Sequence, residues 1–237
     1  MSKGFSPEEE ALYDKTTAAV LNRLRRTSNP ADLLSVLRQA HKGFDRAYET
    51  APAAARALVA CRAGCGTCCH VPVGVQAHEV LLAAEYIQTR FSAADLESAI
   101  ARFAAHRAAF AGKSMDERAA LKTPCAVLLD GSCSIYEARP EACRSHHSRN
   151  LDGCRSNLDT GLDIVDVLIP EIRGRMFAVM LGIDQAATDA GFDDRAYDFG
   201  SAMHEALTDS LCAVRWMQRQ PAFPDSCREM EGPAAGE

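Results

Sequence analysis

The sequence predicts a mainly α protein, with helices around a small cysteine-rich metal core that contains one β-hairpin. Three observations carry this. Apolar residues recur at helical spacing along both ends of the chain. Eight of the ten cysteines fall between Cys61 and Cys154. Two short apolar runs, Ala126–Leu129 and Ser132–Tyr136, flank Asp130-Gly131, a strong two-residue hairpin signal.

The helical elements come first along the chain. Ser6, Pro7 and Glu9 have the spacing of a capping box before a helix whose face is Tyr13, Thr17, Val20, Leu21 and Leu24. Asn29-Pro30 restarts a helix with Leu33, Leu37, Ala40, Phe44 and Ala47 on one side, so residues 1–50 read as a packed helical hairpin without chemistry. A third helix is expected from Pro52 through Leu58 to about Arg62, ended by Gly64. Val71, Val73 and Val75 alternate like a short edge strand limited by Pro72. Helices are then expected at 76–89, after Ser92, and after Ser114.

Beyond the hairpin, Pro140 can start a short helix carrying Cys143. Two longer helices follow Cys154. One spans 171–190, with Ile172, Met176, Val179 and Ile183; the other spans 199–217, with Met203, Leu207, Leu211 and Val214. The expected organisation is a hairpin at 1–50, a cysteine-cluster core at 51–160, C-terminal helices at 161–220 and a loose tail at 221–237.

Composition narrows the function. The chain has 237 residues, 47% hydrophobic and 24% charged, ordinary for a soluble domain with a sizeable core. A net charge of -6 gives no support for nucleic-acid or anionic-membrane binding. No apolar run approaches the roughly 20 residues that span a bilayer, and no signal peptide is read, so a cytoplasmic protein is expected. In a reducing cytosol, clustered cysteines hold metal or do redox chemistry more often than they form disulfides. Cys212 and Cys227 are isolated and read as buried thiols, whereas Cys61, Cys65, Cys68 and Cys69 are four in nine positions.

Cys65 and Cys68 have the spacing of a metal knuckle, and Gly64 and Gly66 permit its turn. If the preceding helix persists, Cys61 and Cys65 lie one turn apart on one face. The second group is Cys125, Cys133 on the hairpin, Cys143 and Cys154. A tetrahedral ion or a cubane cluster takes about four thiolates, so eight allow two centres, or one with bystanders. Vicinal Cys68 and Cys69 tend to point apart and are candidates for different centres.

The pattern Cys61-x3-Cys65-x2-Cys68-Cys69, with Glu79 on the next helix, resembles the YkgJ-type cysteine-cluster family, a zinc- or iron-chelating domain. The resemblance continues through Pro124-Cys125, Asp130-Gly-Ser-Cys133-Ser-Ile-Tyr136, Arg139-Pro140 and Cys143-Arg144, over about residues 61–155. The chain departs at Ser145-His146-His147, where relatives often have an apolar residue and further Pro or Cys. The family's cluster motif is distantly similar to that of flagellin lysine-methylating enzymes linked to an iron–sulfur cluster. The resemblance implies a metal centre at Cys61, Cys65, Cys68, Cys69, Cys125, Cys133, Cys143 and Cys154, without fixing a reaction. An iron–sulfur cluster of the [4Fe-4S] type is the expected cofactor, with zinc as the alternative. The roles that follow are electron transfer or a modification reaction with a protein or small-molecule partner, or, for zinc, structure and interaction.

Other residues carry weaker signals. His70 is a candidate ligand or donor to a sulfur, and one of His146 and His147 a donor or substitute ligand. His41, His78, His106 and His204 lie on helices without evident partners in the sequence and read as surface or satisfied structural histidines. Arg62, Arg139 and Arg144 can offset thiolate charge, although Glu137 and Glu141 offer surface pairing. Gly64-Cys65-Gly66 lacks the Lys-Ser/Thr of a phosphate loop, and no dinucleotide fingerprint is present. No Cys–His pair stands out as a nucleophile.

Overall fold

A computed structural model describes residues 4–62, 64–161 and 165–229. The helices are α1 (Pro7–Leu24), α2 (Pro30–Glu49), α3 (Ala53–Ala57), α4 (Ala77–Arg90), α5 (Ala93–Phe110), α6 (Met115–Leu121), α7 (Glu141–Ser145), α8 (Leu151–Thr160), α9 (Pro170–Asp189), α10 (Phe199–Thr208) and α11 (Cys212–Met217). The protein is mainly α, as the periodicity predicts. Local chemistry sets the helix starts. The Ser6 amide donates to Glu9 Oε2 at 2.8 Å, Asn29 Oδ1 accepts from the Asp32 amide at 2.9 Å, and the Ser114 amide donates to Glu117 Oε2 at 2.8 Å. Each such cap stabilises its helix by about 1 kcal/mol.

Packing does not follow chain order. α9 lies against both helices of the N-terminal hairpin, most closely α1. α2 also touches α4, which packs on α10, and α10 covers α5. Ile172, Met176, Val179 and Ile183 of α9 join Leu24, Leu33, Leu37 and Phe44 in one core with Ile87, Phe103, Tyr197 and Trp216.

Two small antiparallel sheets are present among the described residues. The expected hairpin pairs β2 (Leu128–Leu129) with β3 (Ser132–Cys133), Leu128 opposite Cys133. Asp130 and Gly131 turn it with φ of 48° and 77°, the left-handed pair that a two-residue turn requires. The expected 71–75 strand shrinks to β1 (Gly74–Val75), and its partner is β4 (Tyr197–Asp198), which precedes α10. This second sheet joins distant segments of the chain and stands beside the expected hairpin.

Several further expectations change. α3 ends at Ala57, because Ala60 leaves the helix to donate to the Ser148 carbonyl at 2.8 Å. Cys61 therefore lies on an extended segment rather than a helix face. α8, which carries Cys154, was not expected; Asn150 caps it and Gly161 ends it in a left-handed turn. The expected 199–217 helix breaks at Asp209–Leu211, leaving Leu211 and Val214 exposed rather than on an apolar face. Part of the tail packs down: Ala222, Phe223 and Cys227 are buried, and Arg228 bridges to Tyr197. Residues 230–237 lie outside the described residues.

Candidate metal centre

The cysteines come from four local structures fastened to one another by main chain. Cys65 closes a turn on Arg62, with Gly64 at φ 80°, a conformation that favours glycine. Gly66 packs close to the hairpin: a Cβ there would sit 3.0 Å from Leu128 Cδ1, so that side chain would have to shift. Thr67–His70 forms a 3-10 turn, and His70 Nδ1 lies 3.0 Å from the Gly66 carbonyl, bracing the knuckle. The Cys125 amide donates to the Cys69 carbonyl at 2.7 Å, which ties the two cysteine groups together.

Ser148 joins two more. Its amide donates to Cys61 Sγ at 3.2 Å, and Cys154 Sγ donates to its hydroxyl at 3.1 Å. An amide aimed at sulfur favours the thiolate, the form that ligates.

The eight thiols form one electrostatically connected set. Cys61 feels Cys65, Cys68 and Cys154, while Cys125, Cys133 and Cys143 all feel Cys68. Cys68, the exposed cysteine of the eight, thus stands between the two groups. Its thiol is pushed far up, first by a hydrogen bond with Cys69. The vicinal thiols meet rather than point apart. Burial raises Cys61, Cys133 and Cys143, and lifts Cys125 to about 11. Arg139 pulls Cys68 and Cys133 the other way while its guanidinium rests 3.8 Å over Tyr136.

Among the described residues, no three cysteine sulfurs lie within 4.8 Å of one another. Three thiolates on one zinc ion at about 2.3 Å would stand about 3.8 Å apart. The donor set is soft and all-thiol, which suits zinc or iron–sulfur; its sulfurs are spread more widely than a single ion holds them.

Residues around the thiols behave differently from expectation. Glu79 is buried and accepts from the Gln76 amide and the Glu141 amide, both at 2.7 Å, so it caps α4 and α7 while standing close enough to Cys143 to raise its thiol. Burial, then Glu141, raises its carboxyl to about 8. Glu141 is fully buried rather than a surface partner. Arg144 is buried too, donating to the Arg139 carbonyl at 3.2 Å. His147 stacks on Tyr48, ring centroids 4.9 Å apart. His41 and His78 are buried beside Glu141 and are not partnerless. Their signal was in the sequence: His41 lies four residues after Leu37 and three before Phe44, on the buried stripe of its helix. Cys212 and Cys227 are buried away from the cluster, against the Glu205 and Ser201 carbonyls.

The arrangement defines a cysteine-rich metal-binding domain set into a helical frame. Residues 60–160 match the family model described as "CxxCxxCC: Putative zinc- or iron-chelating domain". Its label spells two residues between the first two cysteines, where this chain has three, Arg62 to Gly64. No curated protein and no solved structure matches the chain. No described helix is long and apolar enough to cross a membrane.

Proposed function

We propose that this is an iron–sulfur protein in which the cysteines hold [4Fe-4S] chemistry and pass electrons to or from a cytoplasmic partner. The observation that carries the reading is the width of the thiol set. Eight cysteines share one electrostatic neighbourhood, yet no three sulfurs are close enough to bind one tetrahedral ion together. A cubane separates its four thiolates by the cluster's own iron and sulfide, so it tolerates this spread. Cys68 is exposed, and Val71, Leu129 and Tyr136 present exposed apolar side chains from the same segments. That combination suits a small, transient interface of the kind redox partners use.

The test is anaerobic purification with iron, acid-labile sulfide and zinc measured on one sample. Brown protein with equal iron and sulfide is expected. Colourless protein with stoichiometric zinc and no sulfide overturns the reading in favour of a structural zinc centre with an interaction role.

A further inference from the structure

Apart from the thiols, three helices direct nitrogen and oxygen donors at one point, and a fourth brings a carboxylate beside it. His41 of α2, His78 of α4 and Glu141 of α7 are 7%, 0% and 0% exposed. His78 Nε2 lies 3.1 Å from Glu141 Oε1 in a hydrogen bond. His41 Nε2 lies 2.9 Å from the same oxygen without the alignment of a hydrogen bond. Asp184 Oδ1 of α9 is 3.7 Å from His78 Nε2. Among the described residues, His41, His78 and Glu141 are the one group of three potential ligands with all donor atoms within 4.8 Å of one another.

Buried polar atoms left without a partner destabilise the fold. Here His41 Nε2, Glu141 Oε2 and the neighbouring Asp184 Oδ1 all lack a hydrogen bond. His78 Nδ1 also lacks one, and would keep that deficit with an ion on Nε2. Donors held about 2.0–2.2 Å from an ion, at tetrahedral or octahedral angles, lie about 3.0–3.5 Å from each other. The observed 2.9 and 3.1 Å separations are close to the edges of such a polyhedron, and Asp184 stands beside the three-ligand group.

We propose that His41, His78 and Glu141 form a second metal site, for a single divalent first-row ion such as Zn(II), Fe(II) or Mn(II), with the Asp184 carboxylate beside it. Two imidazoles and a carboxylate make a harder donor set than the thiols, so the two sites select differently. The side chain of Asp184 is 20% exposed and gives the site its opening to solvent. Glu141 stands two residues before Cys143, so α7 links this site to the cysteine centre. The site rests on its own geometry and does not depend on what the cysteines bind.

Cobalt(II) added anaerobically to the full-length, metal-free protein tests it. Thiolate ligation gives intense sulfur-to-cobalt charge-transfer bands, while nitrogen and oxygen ligation gives weak d–d bands only. His41→Gln and His78→Gln are expected to bind cobalt at the second site at least tenfold more weakly, with the charge-transfer bands unchanged. Unaltered stoichiometry and affinity in folded variants overturn the proposal. If the variants fail to fold, the cobalt X-ray absorption spectrum of the unmutated, loaded protein decides. Imidazole scatterers are expected there, and sulfur scatterers alone overturn the site.

Discussion

The Cys125 amide donates to the Cys69 carbonyl at 2.7 Å, so the knuckle and the hairpin are joined by main chain as well as by any shared centre. The join is short and local, whereas the remaining links between cysteine segments run through Ser148 and the thiols themselves. Bound metal adds to the stability of these segments by mass action on the native state. Chelation, or cluster loss in air, is expected to speed hydrogen exchange in 61–155. Protection in α1 and α9, which pack on each other through their own apolar faces, is expected to persist. Equal protection of 61–155 with and without metal would refute the structural role.

Individual cysteines are expected to divide cleanly. Cys65 and Cys68 lie in the knuckle, so Cys65→Ser or Cys68→Ser lowers metal affinity at least about tenfold. Cys212 is buried at the start of α11 with Arg215 at 3.2 Å from its sulfur, remote from the knuckle in its contacts. Cys212→Ser leaves metal content unchanged by elemental analysis. Full metal in both knuckle variants would move the centre elsewhere, and loss of metal in Cys212→Ser would undo the division of the ten cysteines.

What the sequence disclosed was local. Caps at Ser6, Asn29 and Ser114, the Asp130-Gly131 turn and the stripes of α2 and α9 depend on residues within a few positions of each other, and the structure has all of them. What it withheld depends on partners far along the chain. β1 finds β4, α1 finds α9, and Ala60 leaves its helix for Ser148. The same cause hid the histidine–carboxylate group. His41, His78 and Glu141 come from three helices, and each alone reads as an ordinary surface or core residue. The cysteines were readable because their density is itself a signal, but which thiols share a centre is a property of the turns that bring them together.

Gly182 lies where the backbones of α1 and α9 approach closely. A Cβ there would lie 2.9 Å from Thr16 Cβ and 3.0 Å from the Tyr13 carbonyl oxygen, and neither is the movable end of a flexible side chain. Gly182→Ala must push the helices apart, costing about 1–3 kcal/mol, or roughly 2–10 °C in Tm for a chain of this length. Gly43→Ala meets only a Val179 methyl at 3.1 Å and should cost less. A Tm for Gly182→Ala equal to wild type would show that the α1–α9 contact is looser than described.

Alkaline pH should separate the metal-free and metal-loaded forms. Burial lifts the Cys125 thiol from its ordinary 9.0 to about 11, and raises Cys143 as well. These groups hold their protons more tightly in the fold than in the unfolded chain. Their contribution is therefore fully present below about pH 9 and is lost as pH rises through the folded value of about 11, because the native state binds more protons across that window. In the loaded protein these thiols are already deprotonated by ligation, so their share of the pH dependence disappears. Cys227, raised to about 11 by burial away from the cluster, keeps its share in both forms. The urea midpoint of metal-free protein is thus expected to fall more steeply than that of loaded protein between about pH 9 and 11. Parallel midpoints across that range would mean that Cys125 and Cys143 are not released from proton competition by metal, and so are not ligands.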